Sequence, residues 1–328
     1  MPLIIGLYAV LAATVVFLSI RLAHYVDLID KKSNLSGAFI GGVILAAVTS
    51  LPELFTSISA VTIVNQPKMV IGNILGSNIF NMFVLGIIVL FAAKGFNRSV
   101  VGKSHVQTSV FTLVLFLLMA LPVYFKKDLT RFNISIYSVI IIALYVLSIR
   151  FMAGDTASEE GESDSPLTLK QIAVRFSILA VLLVSASVGI TYVTDMLESK
   201  LSLGATYAGA VFLGVATSLP ELTSSIALVR KGNFNACVGN VIGSGIFNFC
   251  ILAVADLIYR KGSVYSSDTQ SRLLVVLGSI STLLVIITLS IKSKNENGHK
   301  KLAVLYGFLG VGIIFCYALF LILSQLMS

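Results

Sequence analysis

The chain has 328 residues, 57% of them hydrophobic and only 12% charged, with a net charge of +8 and a mean hydropathy of +0.97. That balance excludes a soluble globular domain and predicts an all-α polytopic membrane protein, because apolar runs near the ~20 residues needed to cross a bilayer recur along the whole length. The positive charge then reads as a loop bias suited to an anionic inner leaflet, not as a nucleic-acid-binding face, so no nucleic-acid partner is expected.

Ten transmembrane helices are predicted, near residues 3–23, 36–64, 69–93, 105–125, 132–152, 171–194, 202–229, 233–259, 272–291 and 302–326. The first has no basic start, runs long and lacks a small-residue cleavage site, so it reads as a span and not as a secretory signal. The second carries Gly41 and Gly42 and reaches Thr49-Ser50-Leu51-Pro52-Glu53. The third carries Gly72-Asn73-Ile74-Leu75-Gly76-Ser77-Asn78-Ile79-Phe80-Asn81. After the fifth span comes a low-complexity stretch with Asp155, Glu159, Glu160, Glu162 and Asp164, too polar and too poor in aromatics to fold alone, and so expected to be a solvated linker. The seventh span holds Thr217-Ser218-Leu219-Pro220-Glu221, 168 positions after its first copy (49 to 217). The eighth holds Gly239-Asn240-Val241-Ile242-Gly243-Ser244-Gly245-Ile246-Phe247-Asn248, 167 positions after its own (72 to 239).

A duplication of this kind in a hydrophobic chain points to a transporter built from two halves. Five spans per half is an odd number, so the halves enter the membrane in opposite directions and form two inverted five-helix repeats. The expected domains are residues 1–152 as the first repeat, with its motif region at 36–93; 153–168 as a cytoplasmic acidic linker; and 169–328 as the second repeat, with its motif region at 202–259. With the N-terminus outside, 15 of the 23 Lys and Arg residues fall in cytoplasmic loops and 8 in the opposite ones, as the retention of basic residues requires. Both termini are therefore expected to be extracytoplasmic, and a short linker without large regulatory domains suggests a cell inner membrane.

Of the fifteen acidic residues, only Glu53 and Glu221 lie deep in predicted spans. A carboxylate near the bilayer centre costs about 2.5–3.5 kcal/mol on insertion scales, and its recurrence at matching repeat positions calls for a function, with a cation as the natural partner. Pro52 and Pro220 precede the two glutamates, and a helical proline leaves the carbonyl four residues earlier without its donor; the carbonyls of Val48 and Ala216 are thereby expected to be freed. Irregular backbone at membrane depth is tolerated where it lines a cavity. Thr49, Ser50, Thr217 and Ser218 stand three and four residues before the glutamates, on roughly the same helix face, and Ser77 with Asn81, like Ser244 with Asn248, can offer a hydroxyl and a carboxamide from one face. Such an all-oxygen set suits calcium, whereas softer metals would ask for His or Cys. Gly72, Gly76, Gly239 and Gly243 form a small-x-x-x-small pattern for close helix approach, and Asn73 and Asn240 either line the site or brace the broken helices. Cys237, Cys250 and Cys316 share no metal-type spacing and are expected to act as small hydrophobes.

Thr-Ser-Leu-Pro-Glu followed by Gly-Asn-x-x-Gly-Ser-x-Ile-Phe-Asn, present twice, resembles the paired alpha repeats of the sodium/calcium exchanger family in the cation/calcium exchanger superfamily, and the layout is similar to that of its compact prokaryotic members. The resemblance implies a non-enzymatic antiporter that binds Ca2+ and Na+ at Thr49, Ser50, Glu53, Ser77 and Asn81 and at Thr217, Ser218, Glu221, Ser244 and Asn248, with backbone oxygens near Ala46 and Gly214 helping to hold sodium. Some microbial relatives have aspartate where Asn248 stands, so the site here has two strong carboxylates, not three. Two glutamates neutralise one calcium, whereas three sodium ions, a stoichiometry taken from the family, leave one surplus positive charge, so exchange would be electrogenic. The resemblance also marks the spans near 3–23 and 171–194, with Gly6 and Gly189, as the pair that slides during alternating access. Ca2+ and Na+ are expected as transported ions, with the lipid bilayer as surroundings, no organic cofactor and no required protein partner. A Ca2+/H+ antiporter is the main alternative, although His24, His105 and His299 lie in loops or at a span edge; exchange of another cation and a cation channel are more distant ones.

Overall fold

In lipid every backbone N–H and C=O has to be paired within its own segment, so long apolar runs become helices. The computed structural model describes residues 1–30, 43, 45–125, 130–131, 134–153, 167–265, 268–294 and 300–326. In chain order these form α1 (Pro2–Asp30), α2 (Ala46–Thr49), α3 (Leu51–Thr62), α4 (Pro67–Phe91), α5 (Ala93–Arg98), α6 (Ser104–Phe125) and α7 (Ile136–Ala153). There follow α8 (Leu169–Leu201), α9 (Ala205–Ala208), a π-helical turn at Gly209–Leu213, α10 (Gly214–Arg230), α11 (Phe234–Ile258), α12 (Thr269–Lys294) and α13 (Lys300–Leu326). A two-residue antiparallel ribbon, β1 (Thr130–Arg131) against β2 (Ile134–Ser135), precedes α7 and is the one departure from an all-helical chain among the described residues.

Among the described residues, eight helical segments are long and apolar enough to cross a membrane: α1, α4, α6, α8, the run from α9 to α10, α11, α12 and α13. Of the other two predicted spans, the apolar part of α7, Ile136–Arg150, is shorter. The span expected at 36–64 is described from residue 45, apart from residue 43, and Gly41 and Gly42 lie outside the described residues. The same holds for residues 154–166 of the expected linker and for His299. The helix ends also differ from expectation. α1 continues to Asp30 and α8 runs from Leu169 to Leu201, because a helix of 29 or 33 residues reaches about 43–50 Å, enough to carry it through the headgroup layer where polar residues no longer stop it.

α4 and α11, which carry the second motif in each half, lie at the centre. Both are mainly apolar, with their polar motif residues turned inward, and are buried along most of their length, as expected of helices walled in by others. α4 packs on α13, α11, α10 and α12; α11 packs on α7, α6 and α3. α1 and α8 pack mainly on each other and touch α10 and α3 respectively. Their outer faces expose Leu3, Leu7, Val10 and Phe17, and Val174, Ile178 and Val181, apolar exposure that hydrocarbon accommodates.

Local chemistry sets the helix ends. α8 starts in a capping box: the Gln171 N–H donates to Thr168 Oγ1 at 3.3 Å and the Thr168 N–H donates to Gln171 Oε1 at 3.0 Å. It ends where Ser202 (φ 53°) and Gly204 (φ 79°) turn the chain into α9, a conformation that costs glycine little. The expected small-residue seam is present between α4 and the α9–π segment. A Cβ on Gly76 would stand 2.5 Å from Ala210 Cα, and one on Gly72 would run into the Thr206 backbone.

Candidate ion-binding site

The site is built where α2–α3 and α10 meet the midpoints of α4 and α11. All ten side chains expected there, Thr49, Ser50, Glu53, Ser77, Asn81, Thr217, Ser218, Glu221, Ser244 and Asn248, are fully buried. Their hydrogen bonds cross between halves. Ser218 Oγ donates to Glu53 Oε1 at 2.9 Å, and Ser50 Oγ donates to Glu221 Oε1 at 3.1 Å. The second motif of each half supplies a longer contact to its own glutamate, Ser77 to Glu53 Oε1 at 3.5 Å and Ser244 to Glu221 Oε1 at 3.3 Å. Each carboxylate is thus held by one hydroxyl from the opposite half and one from its own.

The remaining oxygens are unusual for a protein interior. Glu53 Oε2, Glu221 Oε2, Asn81 Oδ1 and Asn248 Oδ1 are buried and have no hydrogen-bond partner. Buried polar atoms are ordinarily paired, and an orphan costs about 1–3 kcal/mol or more when charged. Four orphaned acceptors, two on carboxylates, form a set chemically fitted to a hard cation. Among the described residues there is no group of three His, Cys, Asp or Glu, so the set is one of hydroxyl, carboxamide and carboxylate oxygens.

The prolines act differently in the two halves. In the first, the helix is interrupted: Ser50 sits between α2 and α3 with φ −89° and ψ 9°, and Pro52 lies in the first turn of α3. The N–H groups at this break reach the carbonyls of Ala46 and Val48, so the carbonyl expected to be freed at Val48 is partly served. In the second half the helix runs unbroken through Pro220, and the irregularity sits upstream, in the π turn at Gly209–Leu213. There Tyr8 of α1 donates its hydroxyl to the Phe212 carbonyl at 2.7 Å, with the two rings edge-on at 5.5 Å. Of the two backbone positions, the Gly214 carbonyl accepts from Ser77 Oγ at 3.3 Å and the Ala46 carbonyl from Thr49 Oγ1 at 3.3 Å.

Asn73 and Asn240 turn out to be braces. Asn73 Nδ2 donates to Thr56 Oγ1 at 3.1 Å and Ser57 Oγ at 3.0 Å, while its Oδ1 accepts from Thr217 at 3.5 Å. Asn240 mirrors it, donating to Ser224 at 3.0 Å and Ser225 at 3.3 Å and accepting from Thr49 at 3.4 Å. Each asparagine ties its own half to the threonine of the other.

Two further polar residues take roles that the sequence does not single out. Asn78, one of several asparagines in the second motif, accepts from Asn248 Nδ2 at 2.9 Å. Asp256, expected near a span end, is buried in α11 and accepts from Ser138 Oγ at 2.7 Å and from the Ser135 N–H at 3.3 Å, which fastens the start of α7. Its position near the end of an apolar run hides it. The described histidines stand away from the glutamates: His24 is exposed on α1, and His105, at the start of α6, has Nε2 2.9 Å from Asn235 Oδ1.

The chain is similar to known proteins over most of its length. The family model described as sodium/calcium exchanger protein matches residues 3–154 and 172–325. The inner membrane protein YrbG of Escherichia coli strain K12 is 28% identical over 291 residues, covering 83% of this chain and 85% of its own. The sodium/calcium exchanger MaX1 of Methanosarcina acetivorans is 26% identical over 277 residues, covering 70% and 76%. Among solved structures, the sodium-calcium exchanger NCX_Mj aligns with a TM-score of 0.59 at 21% identity, covering 95% of this chain and 97% of its own. The H+/Ca2+ exchanger CAX aligns with a TM-score of 0.70 at 15% identity, covering 99% and 90%. Both structural likenesses speak to the fold.

Proposed function

Because the chain belongs to the sodium/calcium exchanger family of membrane transporters, we propose that it is a secondary antiporter that exchanges Ca2+ for Na+ by alternating access. The observation that carries this reading is the pair of buried glutamates, each held through Oε1 by a hydroxyl of the opposite half and each presenting an unpartnered Oε2. The cations are substrate, held by Thr49, Ser50, Glu53, Ser77 and Asn81 and by Thr217, Ser218, Glu221, Ser244 and Asn248, with the Ala46 and Gly214 carbonyls contributing to sodium. One calcium neutralises both glutamates. Emptied, the site holds two negative charges at membrane depth, and moving them costs several kcal/mol, so only a loaded carrier changes sides. That condition produces exchange instead of leak, and no ATP-driven step is needed.

The inverted arrangement of ten spans, residues 1–152 against 169–328 around a linker at 153–168, is part of the same reading. It is supported by helix pairings that interchange between halves: α4 with α13 as α11 with α7, α3 with α8 as α10 with α1, and α4 with α12 as α11 with α6. The α1–α8 pair, packed mainly on itself and facing lipid, is the element that slides. Both termini lie outside, in a cell inner membrane.

Proton coupling is the second reading, because an unpartnered Oε2 on each glutamate accepts a proton as well as it ligates a cation. Calcium uptake into proteoliposomes preloaded with sodium or potassium, with the potential clamped at a series of values and the internal pH first matched to the outside and then lowered, separates the two. Uptake that requires internal sodium and quickens with a positive interior is the expected result. Uptake indifferent to sodium and driven by an acidic interior establishes the second reading instead.

A further inference from the structure

The two copies of the second motif differ at one internal polar position. Gly76-Ser77-Asn78-Ile79-Phe80-Asn81 in α4 corresponds to Gly243-Ser244-Gly245-Ile246-Phe247-Asn248 in α11, so asparagine stands in the first half where the second has glycine. The consequence is visible in the two site carboxamides. Asn248 donates its Nδ2 to Asn78 Oδ1 at 2.9 Å and leaves its Oδ1 without a partner, whereas Asn81 has neither Nδ2 nor Oδ1 partnered. Asn78 is itself fully buried, and its Nδ2 has no partner.

We propose that Asn78 is a positioning residue that fixes which end of the Asn248 carboxamide is offered to the transported cation, so that the two pseudo-equivalent corners of the site are not equivalent. This rests on the proposed function, in which cations are carried among these residues. A carboxamide is planar, with its oxygen and its NH2 at opposite corners, and only the oxygen is a cation ligand; the NH2 presents the positive end of the dipole. The reverse pairing, Asn78 Nδ2 on Asn248 Oδ1, would use up that oxygen and turn the NH2 toward the cation, so a bound ion selects the pairing seen here, with Asn248 Nδ2 on Asn78 Oδ1. An acceptor already within reach of Nδ2 improves affinity, because the NH2 is satisfied while the oxygen serves the ion. For Asn81 the equivalent position in the other half is Gly245, which supplies no side-chain acceptor, and either end of its carboxamide can turn toward the site. The second half supplies the preset corner; the first supplies the adaptable one.

The substitution that makes the motifs match is Asn78→Gly, and the swap Asn78→Gly with Gly245→Asn transfers the anchor to the other half. A Cβ at Gly245 would make only ordinary contacts, with Met82 Cε at 3.8 Å, Thr112 Cγ2 at 4.0 Å and, in the unsubstituted chain, Asn78 Oδ1 at 3.9 Å, and the swap removes the Asn78 side chain from beside it. The readout is calcium/calcium exchange by the full chain in proteoliposomes, which depends on neither sodium nor proton coupling. Asn78→Gly is expected to raise the apparent KM for calcium about three- to tenfold, the scale of one hydrogen bond's net worth, with a smaller change in maximal rate. The swap is expected to recover most of that loss. Should Asn78→Gly not yield monodisperse protein, Asn78→Leu, close in volume and without an acceptor, takes its place with the same expectation. An unchanged KM in the folded glycine or leucine variant, or a folded swap as weak as Asn78→Gly, overturns the proposal. Wild-type protein that carries no calcium in this assay overturns the functional reading and the proposal with it; a normal wild type beside an indifferent Asn78 variant overturns the proposal alone.

Discussion

Replacing Glu53 by Gln keeps the shape of the side chain and an acceptor at Oε1 for Ser218 and Ser77, which stand at 2.9 and 3.5 Å, and removes one negative charge. A calcium ion bound beside Glu221 would then leave one positive charge uncompensated during the passage between states. A single charge at membrane depth costs about 2.5–3.5 kcal/mol, which corresponds to a roughly 100-fold slower exchange at 1.36 kcal/mol per decade, before the loss of a direct ligand is added. The fold should not suffer. Glu53 Oε2 has no partner, so the substitution removes a desolvated charge without breaking a hydrogen bond, and the melting temperature in detergent is expected to stay level or rise. Calcium flux in proteoliposomes, beside size-exclusion and melting curves for Glu53→Gln and Glu221→Gln, measures both quantities. Folded variants that exchange calcium within threefold of wild type would refute the charge-compensation argument.

Ser218→Ala and Ser50→Ala each remove the shorter hydroxyl contact to a glutamate; hydrogen bonds to charged groups are worth about 1.5–3 kcal/mol, so calcium KM should rise at least tenfold, and a change below twofold in either variant speaks against the crossed arrangement. Gly76→Leu places a Cβ 2.5 Å from Ala210 Cα, an overpacking that costs about 1–3 kcal/mol or more; a melting temperature equal to wild type would show that the seam between α4 and the α9–π segment can open without cost. Tyr8→Phe deletes the 2.7 Å bond to the Phe212 carbonyl, worth about 1 kcal/mol, and should change the ratio of calcium affinities measured from the two sides of the membrane two- to tenfold, because that ratio follows the balance between conformations. An unchanged ratio would mean that the bond does not distinguish the states.

Much of this was legible in the chain itself. The hydropathy and recurring apolar runs set the protein in a membrane, since water would not tolerate so much apolar surface and lipid requires it, and eight of the expected spans appear as helices of sufficient length. The duplicated Thr-Ser-Leu-Pro-Glu and Gly-Asn-x-x-Gly-Ser-x-Ile-Phe-Asn motifs pointed to the family and singled out the residues now found buried together, because a polar residue repeated in an apolar span is too costly to be incidental. What local sequence could not carry was pairing across the halves. That Ser218 serves Glu53 and Ser50 serves Glu221, over separations of 165 and 171 residues, follows only when four helices converge. The same is true of the proline effect: two identical Ser-Leu-Pro-Glu stretches produce a broken helix at Ser50 and a continuous one through Pro220, because neighbouring helices decide where freed backbone groups are served. Asn78 is the plainest case. As a letter it is one motif asparagine among several, and only the approach of α11 to α4 makes it the acceptor that orients Asn248.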